Sequence, residues 1–73
     1  MGGMFGLEPL DSDRSLAEKM VQNLGIEKGT TFVDTEALKA FVDATPGGVE
    51  WRMTIKGRGD VFVRAVNEVL AAS

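Results

Sequence analysis

A stripe of apolar side chains at helical spacing, near the start of the chain, is the feature that most constrains the fold. In the segment DSDRSLAEKMVQNLG the apolar residues recur every three or four positions, at Leu16, Ala17, Met20, Val21 and Leu24. Ser15 and Glu18 have the spacing of a capping box, and other polar caps lie just upstream. Gly25 is typical of a left-handed helix end. The pattern predicts a helix over residues 12–24.

The next two segments predict a short strand and a second helix. GTTFVD, residues 29–34, is rich in β-branched residues and begins at a glycine, which is typical of a strand. Asp34 then has the position of a helix cap, and Leu38, Phe41 and Val42 form an apolar stripe behind it. The run Pro46-Gly47-Gly48 ends this helix, which is predicted over residues 34–45.

A second strand is predicted over residues 49–56, because VEWRMTIK alternates between apolar and polar residues. Its apolar positions are Val49, Trp51, Met53 and Ile55. All four are expected to face the helices, so that Trp51 and Met53 belong to the core. The polar side chains between them are expected to face water.

The C-terminal part of the chain has two interpretations. After a bend at Gly57–Gly59, apolar residues follow a helical stripe at Phe62, Ala65, Val66, Val69 and Leu70. A helix capped by Asp60 explains this stripe. The alternative is a hairpin, because VFVRAV, residues 61–66, is rich in β-forming residues and nearly alternates. The helical pattern extends further along the chain, and it is therefore favoured.

Together these elements predict a small α/β domain in the order α-β-α-β-α. A helical crossover joins the two strands, so a parallel pair is expected. Two strands make an incomplete sheet, and self-association, as in a homodimer, is the expected way to complete it. Residues 1–10 are predicted to be a flexible or loosely packed N-terminal segment, and residues 11–73 a single domain.

The composition excludes several classes of site. The chain contains no cysteine and no histidine, which excludes disulfides, thiolate metal sites and the Ser-His and Cys-His nucleophiles of many hydrolases. The carboxylates are expected to serve mainly as helix caps and solvated side chains, with a paired-carboxylate hydrolase or an oxygen-ligand metal site as the less favoured alternative. No catalytic residue, metal or cofactor is expected. No apolar run approaches the roughly 18 residues of a membrane span, and a cytoplasmic, non-membrane protein is expected.

The charges divide the chain into an acidic and a basic part. Residues 1–50 hold four Lys or Arg against nine Asp or Glu, a net charge of -5, whereas residues 51–73 hold four against two, a net charge of +2. In the basic part, Lys56-Gly57-Arg58-Gly59 combines two cations with glycines that let a phosphate approach the backbone. The alternative is a strand-to-helix turn whose charges are only solvated.

The segment IKGRGDVFVRAVNEV, residues 55–69, resembles the strand-loop-helix of the Alba family of small nucleic-acid-binding proteins. The positions that match directly or conservatively are Ile55, Lys56, Gly57, Arg58, Gly59, Arg64, Ala65 and Val66. With the elements upstream, the resemblance spans about residues 30–72. It implies a homodimer in which Lys56 and Arg58 contact the sugar-phosphate backbone.

The sequence therefore predicts a small non-enzymatic binding module. The leading hypothesis is weak, phosphate-directed binding of nucleic acid through a site formed by Arg52, Lys56, Gly57, Arg58, Gly59 and Arg64. The alternative is a protein-interaction module, such as a regulator, an inhibitor or an assembly component. In that case the acidic N-terminal part is the expected contact surface for a protein partner.

Overall fold

The computed structural model describes residues 9–72, and this part of the chain is helical without a strand. Helix α1 spans Asp11–Leu24, α2 spans Thr35–Ala44, α3 spans Arg52–Arg58 and α4 spans Asp60–Ala72. A 3₁₀ turn at Gly48–Trp51 leads directly into α3. The predicted α/β class, with its two-stranded parallel sheet, is therefore wrong, and the protein has a small all-helical fold.

Helices α1 and α4 form the centre of the fold, where they pack on each other more extensively than any other pair. Ala17 and Met20 of α1 and Phe62 and Val66 of α4 are fully buried in one core. The apolar stripe of each helix is thus the face that it buries. The helix predicted at 12–24 is confirmed, and after Gly59 the chain forms the favoured helix and not the hairpin.

The two ends of α1 are fixed by different residues. At the C-terminal end, Gly25 has a φ of +66° and its backbone N–H donates to the Val21 carbonyl, as its position predicts. At the N-terminal end, the Asp13 carboxylate accepts a hydrogen bond from the Leu10 N–H at 2.8 Å. Asp13 is one of the polar caps expected upstream of Ser15. Because the helix begins at Asp11, Ser15 and Glu18 lie inside it and do not form the predicted capping box.

Helix α2 begins and ends as its sequence predicts. The Asp34 side chain accepts a hydrogen bond from the Ala37 N–H at 2.9 Å, which confirms the cap. Leu38 and Val42 are fully buried. At the end of the helix, Gly48 is buried so tightly that an added Cβ would lie 2.2 Å from the Val42 carbonyl oxygen. A glycine is therefore required where the chain turns into α3.

The strand predicted within residues 29–34 is instead an irregular segment that hydrogen-bonds to α4. The Gly29 N–H donates to the Leu70 carbonyl at 3.3 Å, and the side chain of Asn67 bonds the backbone of Phe32. The Phe32 N–H donates to Asn67 Oδ1 at 2.9 Å, and Asn67 Nδ2 donates to the Phe32 carbonyl at 2.9 Å. The amide group thus gives this backbone the pair of hydrogen bonds that a neighbouring strand would supply. Phe32 is buried and its ring meets that of Phe41 edge to face, with the centroids 5.4 Å apart.

The predicted strand at 49–56 is the 3₁₀ turn followed by α3. Residues four positions apart share a face in a helix as well as in a strand, so a short alternation fits both structures. In the helix, Ile55 is fully buried and Trp51 packs against the core, whereas Val49 and Met53 are 62% and 77% exposed. The helix also satisfies its backbone internally, which a strand without a partner cannot do.

The structural argument for self-association is removed with the sheet. That expectation rested on the open edges of two paired strands, and residues 9–72 contain no strand. The formation of a homodimer stays a prediction without this support. The segment predicted to be flexible or loosely packed, residues 1–10, lies outside the described residues except for its last two. No helix within residues 9–72 has the length and apolarity to cross a bilayer.

Replacement of Gly48 by Ala is expected to destabilise the fold by roughly 1–3 kcal/mol, because the new methyl group overlaps the α2 backbone. Urea unfolding followed by circular dichroism measures the change. Gly57→Ala is the matched control, since a Cβ at that helical position meets nothing within 4 Å. A Gly48→Ala variant as stable as the parent protein would contradict the close approach.

Candidate functional site

The predicted phosphate loop at residues 56–59 is not a loop. Lys56, Gly57 and Arg58 belong to the last turn of α3, and Gly59, at a φ of +64°, is the single residue between α3 and α4. Cations in the last turn of a helix are favourable on their own account, because they face the negative end of the helix dipole. The following helix begins with a carboxylate, Asp60, which accepts a hydrogen bond from Thr35 Oγ1 at 2.6 Å.

Arg58 forms an ion pair with a buried carboxylate. Its Nη1 donates to Asp13 Oδ1, and the Asp13 side chain is only 3% exposed, whereas that of Arg58 is 36% exposed. The other oxygen of Asp13 accepts from the Leu10 N–H. Both carboxylate oxygens are thus bonded, as a buried charge requires. The pair joins the first turn of α1 to the last turn of α3.

The other predicted site residues are not gathered into one cluster. Arg52 pairs with Asp43 at 3.1 Å, with both side chains about half exposed, so the pair contributes about 0–1 kcal/mol. Lys56 is exposed and has no ion pair within residues 9–72. Arg64 lies exposed on α4 and does not line the depressions beside α3. Arg52 and Lys56 line one depression, whereas Gly57 and Arg58 line another.

The surface that Arg52 and Lys56 share contains two apolar residues that the sequence analysis did not expect to find there. Val49 and Met53 lie one helical turn apart and are largely exposed. Together with three cations they line an open depression of about 450 Å³, which we call the Met53 face: Lys39, Val49, Arg52, Met53 and Lys56. The prediction that Met53 belongs to the core is wrong. The spacing of Val49, Met53 and Lys56 would have indicated this face had the segment been treated as a helix.

Met53 also borders a second depression, on the side of α3 that faces α1. Its lining residues are Leu16, Met53, Thr54, Gly57 and Arg58. We call this depression the Gly57 pocket. Met53 therefore forms a ridge between the two depressions, and one docked chain could contact both.

A third depression lies between α1 and α4. Its lining includes Arg14 and Glu68, and Arg14 Nε is 2.8 Å from Glu68 Oε1. Glu18 lines the same groove, so its carboxylates outnumber its one cation and it offers no excess of positive charge. Among residues 9–72 no three acidic side chains come together as a metal site. The Met53 face differs in combining two largely exposed apolar side chains with three cations, and it is the candidate site.

Comparisons of the chain with known protein families, with curated proteins and with solved structures find no match. The resemblance to the Alba family included a strand over residues 49–56, and the structure has a helix there. Function must therefore be argued from the geometry of α3 and its surroundings.

Loss of Arg58 is expected to destabilise the protein more than loss of the charge on its partner. Arg58→Met leaves the Asp13 carboxylate buried without its counter-ion, which costs up to about 3–5 kcal/mol. Asp13→Asn keeps an oxygen for the Leu10 N–H and leaves Arg58, whose side chain is 36% exposed, for water to solvate. Chemical denaturation of both variants and of the double variant measures the difference. Equal losses in the two single variants would contradict the asymmetric burial of the pair.

Proposed function

We propose that this protein is a non-enzymatic binding module that docks an acidic, amphipathic segment of another protein on the Met53 face. The observation that carries the proposal is the pair of exposed apolar side chains, Val49 and Met53, within a ring of cations. The proposal agrees with the protein-interaction module that the sequence analysis gives as the alternative. It moves the contact surface from the acidic N-terminal part to α3.

The apolar part of the Met53 face favours a protein partner. Burying a Met or Val side chain contributes about 1.5–3 kcal/mol, and this gain is unused while both residues are exposed. Methionine is flexible and polarizable, and it adapts to apolar partners of different shape. A partner with one or two large apolar side chains would therefore cover Val49 and Met53.

The charges of the Met53 face favour acidic residues in that partner. Lys39 lies 3.6 Å from Glu36 and Arg52 lies 3.1 Å from Asp43, and both contacts are exposed enough for solvent to weaken them. Lys56 has no such contact among residues 9–72. A docked carboxylate near Lys56 would complement the one uncompensated cation. Opposite charges at the rim of an interface mainly set specificity and the rate of association.

Nucleic acid fits the same surface less well. Binding to phosphates gains free energy by releasing counterions at each neutralised phosphate, so it depends on the number of available cations. Arg58 is tied to Asp13 and Arg52 is partnered by Asp43, which leaves Lys56 as the cation on α3 without an ion pair in the described part of the chain.

The test uses a synthetic amphipathic helical peptide with leucines on one side and glutamates on the other. Titration into ¹⁵N-labelled protein is expected to shift the amide signals of residues 49–56. Met53→Ser should weaken the binding by about 10-fold, in keeping with the loss of about 1.5 kcal/mol of apolar burial. Val33→Ser is the matched control, because Val33 is 86% exposed but lies outside the Met53 face.

The charge part of the proposal needs its own variants. A peptide with lysines in place of the glutamates should bind weakly, and Lys56→Glu should reverse the preference between the two peptides. The proposal is overturned if the acidic peptide leaves residues 49–56 unshifted. It is also overturned if a duplex DNA binds at low salt through Lys56 while the peptide does not. Concentration-dependent shifts of residues 49–56 without any ligand would identify a second copy of the chain as the occupant instead.

A further inference from the structure

Gly57 has no structural reason to be a glycine. It lies inside α3, its φ is not positive, and a Cβ at this position would meet nothing within 4 Å. A glycine within a helix is less favourable than alanine, because it loses more backbone freedom on folding. The other glycines at the ends of helices differ in this respect. Gly25, Gly47 and Gly59 all have positive φ, and Gly48 would clash.

The missing side chain leaves the helix backbone accessible in the Gly57 pocket. This shallow, open depression of about 510 Å³ is lined by both apolar and polar residues. Leu16 and Met53 supply apolar surface, and Thr54 and Arg58 provide hydrogen-bond donors. Because Gly57 is one of the lining residues, a methyl group there would take up part of this open space. A ligand that approaches the α3 backbone closely at this point would account for the glycine.

The contact with Asp13 orients the Arg58 side chain before any ligand binds. Of the five N–H donors on a guanidinium, one bonds the buried carboxylate within the described part of the chain, and the side chain is still 36% exposed. The ion pair fixes the orientation of the side chain, so less rotational freedom remains to be lost when the other donors bind. Arg58 can therefore serve as a pre-oriented receptor for a planar anion.

We propose that the Gly57 pocket binds a carboxylate that carries a short apolar chain. The carboxylate accepts hydrogen bonds from the remaining donors of Arg58 and from Thr54 Oγ1, while the apolar chain contacts Leu16 and Met53. This inference rests on the proposed docking function, and it names the group that the docked segment presents: a glutamate side chain or a terminal carboxylate. Both present the same chemistry.

A monoanion fits this pocket better than a phosphate. The charge of Asp13 offsets that of Arg58, so the pair supplies directional donors and little net positive charge. The guanidinium fork matches the planar geometry of a carboxylate. The doubly charged phosphate of a nucleic-acid end or of a phosphorylated side chain needs more than one uncompensated cation.

The direct test is a titration of the full ¹⁵N-labelled chain with sodium butyrate, followed by NMR at constant ionic strength. Saturable shifts are expected for the Arg58 Nε–Hε signal and for the amides of residues 54–58. Butyramide has the same shape without the charge, and it should leave them in place. The Nε–Hε signal of Arg52 is the internal control, because Arg52 also pairs with a carboxylate but lies outside the pocket.

Two variants separate binding from folding. Gly57→Ala should raise the melting temperature by roughly 2–8 °C, because it favours the helix, and should weaken butyrate binding at least 10-fold. Arg58→Lys keeps the charge beside Asp13 and loses the fork, so it should remain folded and bind butyrate several-fold more weakly. The inference is overturned if the shifts do not saturate and the Arg52 Nε–Hε signal shifts in the same way. It is also overturned if Gly57→Ala binds butyrate as tightly as the parent protein does.

The amphipathic peptide then identifies the source of the carboxylate. If amidation of its C-terminus abolishes the shift at Arg58, the terminal carboxylate is the ligand, and if Glu→Gln changes abolish it, a side chain is. The outcomes also separate the two proposals. In one outcome, the peptide shifts the NMR signals of Val49 and Met53 while butyrate leaves the Arg58 signal unchanged. That result would refute the carboxylate pocket and leave the docking function in place. Butyrate binding without peptide binding removes the docking function, and with it the assignment of the carboxylate to a docked segment.

Discussion

The buried carboxylate of Asp13 is the constraint on which the arrangement of α1 and α3 depends. A charge that is only 3% exposed is costly unless every oxygen is bonded, and here Leu10 and Arg58 bond one oxygen each. These contacts start α1, hold the end of α3 against it and orient Arg58. Because α3 is anchored by Arg58 at this end and by the buried Ile55 within, Met53 faces outward. The candidate surface is therefore a consequence of how one buried charge is satisfied.

The long helices could be predicted from the sequence because their signals are local and agree with each other. The stripes of α1, α2 and α4 extend over several turns, and Asp34 and Gly25 mark ends that the structure has. The two predicted strands failed for a physical reason. Over eight residues, alternation and a helical repeat share the i, i+4 positions, and the extended segment at Phe32 finds its partner in a side chain 35 residues away.

The candidate site was predictable only in part. The sequence marks Arg52 and Lys56 as cations near one another, and the structure places them on one face. The sequence does not reveal that Arg58 forms an ion pair, because its partner Asp13 lies 45 residues earlier in the chain. The strand pattern predicts that Val49 and Met53 face the helices, with Met53 in the core, so the wrong secondary structure also hides the exposed face. The Gly57 pocket needs the helix as well, since Gly57 looks like a turn residue until its backbone is known.

The tie between Asn67 and Phe32 has a consequence for the chemical ageing of the protein. Both hydrogen bonds depend on a side-chain amide, which donates from Nδ2 and accepts at Oδ1. Slow hydrolysis of that amide to a carboxylate would replace the donor with an oxygen facing the Phe32 carbonyl, and one attraction would become a repulsion. The connection between α1 and α2 would then be held on α4 less firmly, by the hydrogen bond from the Gly29 N–H to the Leu70 carbonyl and by the buried Phe32 ring. A deamidated form would be more acidic and would have a weakened tie, while every helix keeps its own backbone hydrogen bonds.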